Sequence, residues 1–305
     1  MMMMMERLRF TWWNTGLTPP NQKKSNAVTQ GYTAFNDILS ELLTLSDFIG
    51  LCEVGKDDLD HIKSHLDEET WAVKSLLVKT ISKKGYYDLC CIYRKDVLLA
   101  SANSDTINAL FSGTEIKAAQ KISVTTKTHA PTSFALYLSH WPSRLRGKVD
   151  ERVAAAGAIR NDFLKLPPDT LPIFMGDYND SPFSESLNVH LQATKCYDAV
   201  QRSAKTVLYN PFWKLTVSDE KYTYYNQKNC KSFSRGTYYF SQGTADALSW
   251  YSFDQIILSG MFLGSSKWHL DEPYTQVIRT PTIVRYFGNT AHVDHYPITL
   301  HIVHP

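Results

Sequence analysis

Residues 171–180 read Leu-Pro-Ile-Phe-Met-Gly-Asp-Tyr-Asn-Asp, an apolar run that stops abruptly at Asp177. Nearly continuous apolar residues over this length are typical of a strand whose two faces are both buried. The polar residues that follow, continued by Ser181-Pro182, favour a tight turn at the carboxyl end of the strand. The stretch therefore predicts a buried strand that presents Asp177 and Asn179 at one edge of a sheet.

Three other apolar runs take the same form, and each ends at a polar residue. They are Leu8–Trp13 before Asn14, Phe48–Cys52 before Glu53, and Phe134–Ser139 before His140. A single polar residue in this position is more often a strand cap or the start of a turn. Several such ends that supply Asn, Glu, His and Asp favour one shared site, because ligands in open α/β folds bind beyond the carboxyl ends of strands.

Two helices are predicted between these strands. Apolar residues recur at helical spacing between Val28 and Leu43, and again between Val153 and Leu166, where Pro167-Pro168 ends the pattern. Strand and helix therefore alternate in part of the chain, and continuous apolar strands imply sheets covered on both faces. The sequence predicts the α/β fold class.

The composition limits the function classes. The chain has 305 residues, of which 43% are hydrophobic and 20% charged. That length fits one large α/β domain or two modest ones. The formal net charge of +2, from 32 basic and 30 acidic residues, excludes a protein that attracts polyanions by its total charge. Nucleic-acid binding would need a local basic patch.

The cysteines and the amino terminus indicate the compartment. Five cysteines are scattered along the chain without a Cys-x-x-Cys pair. An odd number without a disulfide framework indicates a reducing compartment, in which thiols pack as small apolar groups. The opening run Met1–Met5 is too short for a secretion signal, and no apolar run approaches a membrane span. We therefore expect a cytoplasmic protein without a membrane partner.

Acidic and amide side chains dominate the polar turns. Glu53, Asp177 and Asp294 carry carboxylates, and Asn14 and Asn179 carry amide oxygens. Hard oxygen ligands suit Mg²⁺, Mn²⁺ or Ca²⁺, whereas zinc would need His and Cys at ligand spacing. Carboxylates crowded together without a cation would raise one another's pKa. The pattern predicts a divalent-metal site with Mg²⁺, or Mn²⁺, as the cofactor.

The turn after Gly176 has the groups that phosphate hydrolysis needs. Asp177 can orient or deprotonate an attacking water, and Asn179 can donate a hydrogen bond to a phosphate oxygen. The alternative is an Asx turn with no catalytic role, which Asp, Asn, Ser and Pro all favour.

A second polar turn, Asp294-His295, precedes a predicted closing strand from Ile298 to Val303. A protonated imidazole here can stabilise charge on a phosphate oxygen, provided that a carboxylate behind it holds the ring. Asp254 lies in an apolar strand, where an unpaired acid would be costly, so we expect it to pair with His295. The alternative for Asp254 is an ion pair with a structural arginine.

The segment that follows the apolar run Phe134–Ser139 contains a histidine and an arginine. His140 follows the strand, and Arg144 lies in the loop beyond it. Because arginine binds phosphate through paired hydrogen bonds, Arg144 is a candidate clamp for the scissile or a neighbouring phosphate. We expect the later basic residues only on a solvated face at the start of the second helix; they are Arg146, Lys148 and Arg152.

In their order along the chain, these motifs resemble those of the endonuclease/exonuclease/phosphatase superfamily. That superfamily includes pancreatic deoxyribonuclease, abasic-site endonucleases, inositol phosphatases and bacterial sphingomyelinases. The matching segments are Trp13–Gly16, Leu51–Val54, Ser139–Arg144, Gly176–Asp180, Phe253–Gln255 and Asp294–Pro297. Each segment alone is a weak signal, but their shared order over nearly the whole chain makes a strong one.

The resemblance implies a fold and a set of roles. The fold is a single domain over residues 1–305, a four-layer α/β/β/α sandwich of two mixed β-sheets flanked by helices. The metal would be held or approached by Asn14, Glu53 and Asp294. The remaining roles would be positioning of the attacking water by Asp177, phosphate binding by Asn179, pairing of Asp254 with His295, and contact of His140 with the phosphate or the leaving group.

Two further features follow from the resemblance. In deoxyribonuclease-like members, an acid on an earlier strand holds the histidine that matches His140; Asp88 is the candidate here, although Tyr87 fits the spacing nearly as well. The chain also has a tyrosine-rich insertion around residues 205–250, in which Tyr209–Trp213 followed by Gly236–Phe240 looks like a group of bacterial members of uncertain substrate. Its aromatic residues could stack nucleic-acid bases or could pack the insertion itself. The basic residues interleaved with them are Lys228, Lys231 and Arg235.

Motifs and resemblance together predict a metal-dependent phosphodiesterase. The leading hypothesis is an endo- or exonuclease that cuts DNA or RNA by in-line attack of an activated water. The alternative is a phosphatase or phosphodiesterase acting on a small phosphorylated molecule or a lipid. Against it, the Trp-Cys-Asp-Arg signature of inositol phosphatases is absent. A non-catalytic binding module on the same fold is disfavoured, because every expected catalytic position holds a chemically competent residue.

Overall fold

The computed structural model describes residues 5–19, 32–79, 86–128, 130–144, 148–216, 236–240, 250–290 and 292–305. In chain order the strands are β1 (Glu6–Asn14), β2 (Phe48–Cys52), β3 (Trp71–Ser75), β4 (Val78–Lys79), β5 (Tyr86–Tyr87), β6 (Leu89–Arg94), β7 (Leu98–Ala100), β8 (Asp105–Phe111), β9 (Thr114–Thr126), β10 (Ser133–His140), β11 (Leu171–Asp177), β12 (Ala193–Thr194), β13 (Leu208–Tyr209), β14 (Tyr238–Tyr239), β15 (Trp250–Tyr251), β16 (Asp254–Ser259), β17 (His269–Leu270), β18 (Gln276–Val277) and β19 (Ile298–His304). The α-helices are α1 (Thr33–Leu45), α2 (Lys56–His65), α3 (Val149–Phe163), α4 (Tyr197–Arg202) and α5 (Pro281–Tyr286).

Two large mixed sheets contain most of these strands. The first sheet has the order β17-β19-β1-β2-β6-β3, with β18 also paired to β19. In it, β1 runs parallel to β2 and antiparallel to β19. The second sheet has the order β12-β13-β16-β11-β10-β9-β7, with β8 also paired to β9. In it, β10 runs parallel to β11 and antiparallel to β9.

The inner faces of the two sheets pack on each other. Phe10 and Trp12 of the first sheet belong to the same buried cluster as Leu138, Met175 and Ile256 of the second. These side chains are at most 1% exposed, so the space between the sheets is a dry apolar interior.

The outer faces of both sheets are covered by helices. On the first sheet, Trp13 and Ile49 pack with Phe35 of α1. On the second sheet, Tyr137 and Phe174 pack with α3. Trp12 and Trp13 therefore face opposite layers, as consecutive strand residues must. The α/β fold class and the four-layer α/β/β/α sandwich are confirmed.

The strand predictions agree closely with the structure. The run from 48 to 52 is β2 itself, and the runs ending at Trp13, Ser139 and Gly176 each extend to the polar residue that follows. The two predicted helices are α1 and α3, although Val28 lies outside the described residues. Much of the tyrosine-rich insertion, including Lys228, Lys231 and Arg235, also lies outside them. Within the described ranges, no helix is long and apolar enough to cross a membrane.

Candidate active site

The strand registers bring the polar strand ends to one level of the sandwich. In the second sheet, His140 lies beside Asp177, and Asp177 lies beside Asp254. In the first sheet, Asn14 lies beside Cys52, the residue before Glu53. Residues from both sheets therefore converge at this edge.

One aspartate–histidine pair joins the two sheets. The Oδ2 atom of Asp254 lies 2.7 Å from Nδ1 of His295, and its Oδ1 atom accepts a hydrogen bond from the Trp12 indole at 3.1 Å. Burial by itself lowers the pKa of His295, but the charge and hydrogen bond of Asp254 raise it well above 6.5. Asp254 thus favours the protonated form of this buried ring, and the predicted contact between Asp254 and His295 is present.

A second aspartate–histidine pair also joins the two sheets, but here the aspartate lies at the first sheet and the histidine on the second. Oδ2 of Asp88, the residue before β6, lies 2.7 Å from Nδ1 of His140. Burial lowers the pKa of His140, but the Asp88 carboxylate outweighs that effect and raises it to about 9. The Tyr87 hydroxyl instead donates to the Ile107 carbonyl at 2.6 Å. Asp88, rather than Tyr87, therefore holds His140.

Asn14 links the carboxylates that lie between the two histidines. Its Nδ2 atom donates to Asp177 at 3.0 Å and to Glu53 at 3.3 Å, while its Oδ1 atom accepts the backbone N–H of Gly16 at 3.1 Å. In this arrangement, Asn14 presents its amide nitrogen, and not its oxygen, to the carboxylates. Its role near a metal stays a prediction.

Glu53 sits in a strained and buried position. Its backbone φ is 57°, in the left-handed region that residues other than glycine seldom adopt. Its carbonyl is fixed by the backbone N–H of Thr18 at 2.6 Å. Burial, and then the nearby Asp88 and Asp294, raise the pKa of Glu53 to about 7 despite the opposing charge of His140. Such a carboxylate needs a cation to be stable in its charged form.

Asp177 and Asn179 form a tight turn at the end of β11. The backbone N–H of Asn179, whose φ is 50°, donates to Oδ1 of Asp177 at 2.9 Å, and its side chain donates to the Trp141 carbonyl at 3.1 Å. The Asx turn that was the alternative to a site is therefore present. It leaves Oδ2 of Asp177 facing Nε2 of His295 at 3.8 Å, so turn and site coexist. Burial and the adjacent Asp254 raise the pKa of Asp177.

The side chains present fit a divalent cation. Among the described residues, ligand atoms of Asp177, Asp254 and His295 lie within 4.8 Å of one another, a possible acidic and histidine metal cluster. However, Asp254 raises the pKa of His295, and an imidazole that keeps its second proton offers no lone pair to a metal. The Glu53 carboxylate keeps a raised pKa even beside His140, and Asp294 is close enough to contribute to that rise, so Glu53 is the better place for the charge of a cation.

Aromatic rings border the site next to His295. The Tyr238 ring centroid lies 4.6 Å from that of His295, and burial together with Asp294, Asp177 and Glu53 raises the pKa of Tyr238 to about 12. Phe253 stacks on Tyr238 at 5.5 Å. Further out, Tyr251 stacks on Phe253, and the exposed Arg144 lies 5.5 Å from the Tyr251 ring. Arg144 is therefore at the rim of the site rather than among its acids.

The expectation for Arg152 was wrong. It is only 2% exposed, and its Nε atom donates to Oδ2 of Asp180 at 3.1 Å. Asp180 also accepts from Ser186 at 2.8 Å, so the ion pair anchors the turn that follows Asn179. Lys148 does lie at the surface beside Glu151, and Arg146 lies outside the described residues.

A model of the endonuclease/exonuclease/phosphatase family matches residues 18–303, nearly the whole chain. The chain belongs to this family. The order of the motifs along the chain had predicted this membership. In the fold, the histidines of two of these motifs each pair with a buried aspartate. Family membership supports phosphoesterase or nuclease activity in general, and the family generally depends on divalent metals.

Solved structures with the same fold have diverse functions. A humanised D. rerio TDP2 carrying 14 mutations is 16% identical, covers 97% of this chain and 98% of its own, and has a TM-score of 0.61. The human Nocturnin catalytic domain is 14% identical, with coverages of 98% and 95% and a TM-score of 0.59. A Bacteroides thetaiotaomicron mannosyl-6-phosphatase is 15% identical, covers 97% of this chain and 99% of its own, and has a TM-score of 0.57. At these identities the likeness shows the family fold alone.

A comparison with curated protein sequences finds no match. The substrate of this family member must therefore be argued from its own site.

Proposed function

We propose that this chain is a divalent-metal-dependent phosphodiesterase and that its substrate is DNA or RNA. The observation that carries the proposal is the pair of buried aspartate–histidine contacts on either side of Asp177. Nε2 of His295 faces Asp177 at 3.8 Å, and Nε2 of His140 faces Glu53 at 3.6 Å. Two imidazolium groups thus point into one acidic space, an arrangement that suits a phosphate group placed between them.

In this mechanism, Asp177 orients the attacking water and accepts its proton, since its raised pKa makes it a better base than an exposed aspartate. His295 and His140 donate hydrogen bonds to phosphoryl oxygens, which stabilises the negative charge that builds during in-line attack. Asn179, which lies at the end of the same turn, binds a further phosphate oxygen. His140 is also placed to protonate the leaving oxygen.

Glu53 and Asp294 would hold the cation, Mg²⁺ or Mn²⁺, with Asn14 approaching it. When bound, the cation supplies Lewis-acid stabilisation of phosphate charge. Asn14 also fixes Asp177 and Glu53 relative to each other through its two hydrogen bonds. The same amide therefore couples the proposed metal ligand to the proposed base.

The rim of the site favours a nucleic acid. Tyr238 and Tyr251 supply half-buried rings, which stack on the buried Phe253 between them, and Arg144 supplies a cation beside Tyr251. Rings interleaved with a guanidinium suit unpaired bases and the phosphates between them. A D. rerio TDP2 of the same fold has been solved with a single-stranded DNA product, which shows that this fold can accommodate such a ligand.

A small phosphoester is the second candidate. The net charge of +2 gives no general attraction for a long polyanion, and a mannosyl-6-phosphatase shares the fold. A panel of labelled single- and double-stranded DNA and RNA, together with sugar phosphates, incubated with Mg²⁺ or Mn²⁺ would discriminate. Cleavage of the sugar phosphates alone would favour this second candidate.

The general chemistry is tested with bis-p-nitrophenyl phosphate. We expect turnover that EDTA abolishes and that Asp177→Ala abolishes while the fold is retained. Turnover that survives both treatments would reject the mechanism and indicate a different hydrolytic chemistry, whereas no turnover of any phosphoester with either metal would favour a non-catalytic binding module.

A further inference from the structure

The carboxylate of Asp88 has a second partner besides His140. Nζ of Lys117, on β9, donates to its Oδ1 atom at 3.0 Å, while its Oδ2 atom is taken by His140 at 2.7 Å. The Asp88 side chain is fully buried and that of Lys117 is 19% exposed. Each oxygen of this buried carboxylate is thus held by a separate side chain, Oδ1 by Lys117 and Oδ2 by His140.

A β-bulge places Lys117 on this side of the second sheet. Between β8 and β9, Ile107 pairs with Ala119 and Asn108 pairs with Lys117, so Ala118 has no partner. Lys121, four residues along the same strand, reaches outward to Asp162 of α3. In a regular strand, Lys117 would face the same way as Lys121. The bulge instead turns Lys117 inward, toward Asp88 in the facing sheet.

The bulge is itself tied to the site. The carbonyl of Ala118 accepts a hydrogen bond from the Trp141 indole at 2.9 Å, and Trp141 is the residue after His140. The Tyr87 hydroxyl, from the residue before Asp88, donates to the Ile107 carbonyl beside the bulge. These hydrogen bonds fix the backbone around Lys117 to Trp141, which is next to His140, and to Tyr87, which is next to Asp88.

We propose that Lys117 is a positioning residue, which fixes the Asp88 carboxylate and through it the orientation of the His140 ring. The proposal rests on the proposed phosphodiesterase function and goes further, since it assigns a role to a residue outside the site motifs. Without Lys117, Oδ1 of Asp88 would lose its charged donor in a buried position, and the carboxylate would turn or take up a proton. His140 would then lose its fixed orientation toward Glu53.

The kinetic test compares Lys117→Met with Lys121→Met in the purified full-length chain, with bis-p-nitrophenyl phosphate as substrate. Lys121 is a matched control, since it lies on the same strand, is 17% exposed and forms an ion pair of the same 3.0 Å length away from the site. We expect Lys117→Met to lower kcat by about 10- to 100-fold with KM nearly unchanged, which is typical for residues behind a site's primary contacts. We expect Lys117→Arg to restore most of kcat and Lys121→Met to leave it unchanged.

A second comparison separates positioning from direct contact with substrate. In a His140→Gln background, Lys117→Met should cause no further loss of kcat, because the ring that it positions is gone. An equal loss in both backgrounds, or no loss in the wild-type background, would overturn the proposal. Should Lys117→Met not fold, Lys117→Gln, which keeps an N–H donor without the charge, is measured against the same controls.

Proton NMR supplies a readout that needs no turnover. The Nδ1 protons of His140 and His295, each bonded to a carboxylate, should give two strongly downfield signals. We expect Lys117→Met to remove or shift the His140 signal and to leave the His295 signal as an internal reference. An unchanged His140 signal would overturn the positioning role. If the His140 signal depends on Lys117 but the protein cleaves no phosphoester, the positioning role of Lys117 stands and the proposed function is refuted.

Discussion

The carboxylate of Asp254 uses one oxygen for His295, at 2.7 Å, and the other for the indole of Trp12, at 3.1 Å. Trp12 lies on the first sheet and His295 just before its strand β19, whereas Asp254 lies on the second sheet. The carboxylate cannot turn toward one partner without losing the other, so the His295 ring is held in one orientation.

The Asp254–His295 contact predicts the effect of Asp254→Asn. An amide has no charge to hold His295 protonated, so kcat should fall by about 100- to 1,000-fold, the usual cost of losing a group that stabilises transition-state charge. Steady-state kinetics with bis-p-nitrophenyl phosphate measures the loss. Asp47→Asn is the control, because Asp47 is also buried but pairs with Arg9 away from the site. An equal loss of kcat in both variants would point to a general loss of structure.

The pKa values of His140 and Glu53 predict a bell-shaped pH profile. Activity should fall as pH rises through about 9, where His140 loses its proton, and His140→Gln should lack that limb. At low Mg²⁺, activity should rise through about pH 7, where Glu53 becomes charged. Added Mg²⁺ should move this rise to lower pH, since the cation binds the deprotonated carboxylate. A rising limb that is independent of Mg²⁺ would place the cation elsewhere.

Glu53→Gln should stabilise the metal-free protein. The pKa of Glu53 is about 7 when folded and 4.5 ordinarily, so its stabilising contribution is complete below pH 4.5 and is lost as pH rises through 7. At pH 8 in EDTA, the variant should gain up to about 3 kcal/mol in the free energy of unfolding. Denaturant titration measures this gain. Adding Mg²⁺ should stabilise the wild type and not the variant, whereas a variant that still gains stability from Mg²⁺ would contradict the proposed ligand.

Two glycines give a matched pair of alanine substitutions. A Cβ at Gly176 would lie 2.4 Å from the Ser139 carbonyl oxygen, so Gly176→Ala should push β11 from β10 beside Asp177. We expect it to lower the unfolding free energy by about 1–3 kcal/mol and to reduce activity. A Cβ at Gly157, inside α3, would meet no neighbouring group within 4 Å, and Gly157→Ala should raise stability by about 0.5–1 kcal/mol. Thermal unfolding of both variants tests the pair.

Much of the fold and part of the site follow from local sequence pattern. Continuous apolar runs and their abrupt polar ends were enough to predict β2 and β11 and the side chains that each presents. The contact between Asp254 and His295 followed from the cost of leaving an acid unpaired in an apolar strand. These features depend on only a few neighbouring residues or on a single strong energetic penalty.

Features that depend on distant partners could not be predicted in the same way. Tyr87 and Asp88 are neighbours whose side chains point in different directions, and the sequence does not say which of them meets His140. Arg152 has the pattern of a surface residue, because its partner Asp180 lies on a separate loop. Lys117 depends on a bulge, for which a single extra residue in β9 leaves no clear compositional signal.

The bonds that define the site run across the gap between the sheets: Asp88 to His140, His295 to Asp254, and Asn14 to Asp177. None of these pairs can be assembled within one layer, so the thickness of the apolar interior sets every one of the distances at once. The proposed activity should therefore depend on how closely the inner faces of the two sheets pack. If heat, pressure or an oversized residue expanded this interior, the three pairs would separate and activity would be lost, although the backbone hydrogen bonds within each sheet remained.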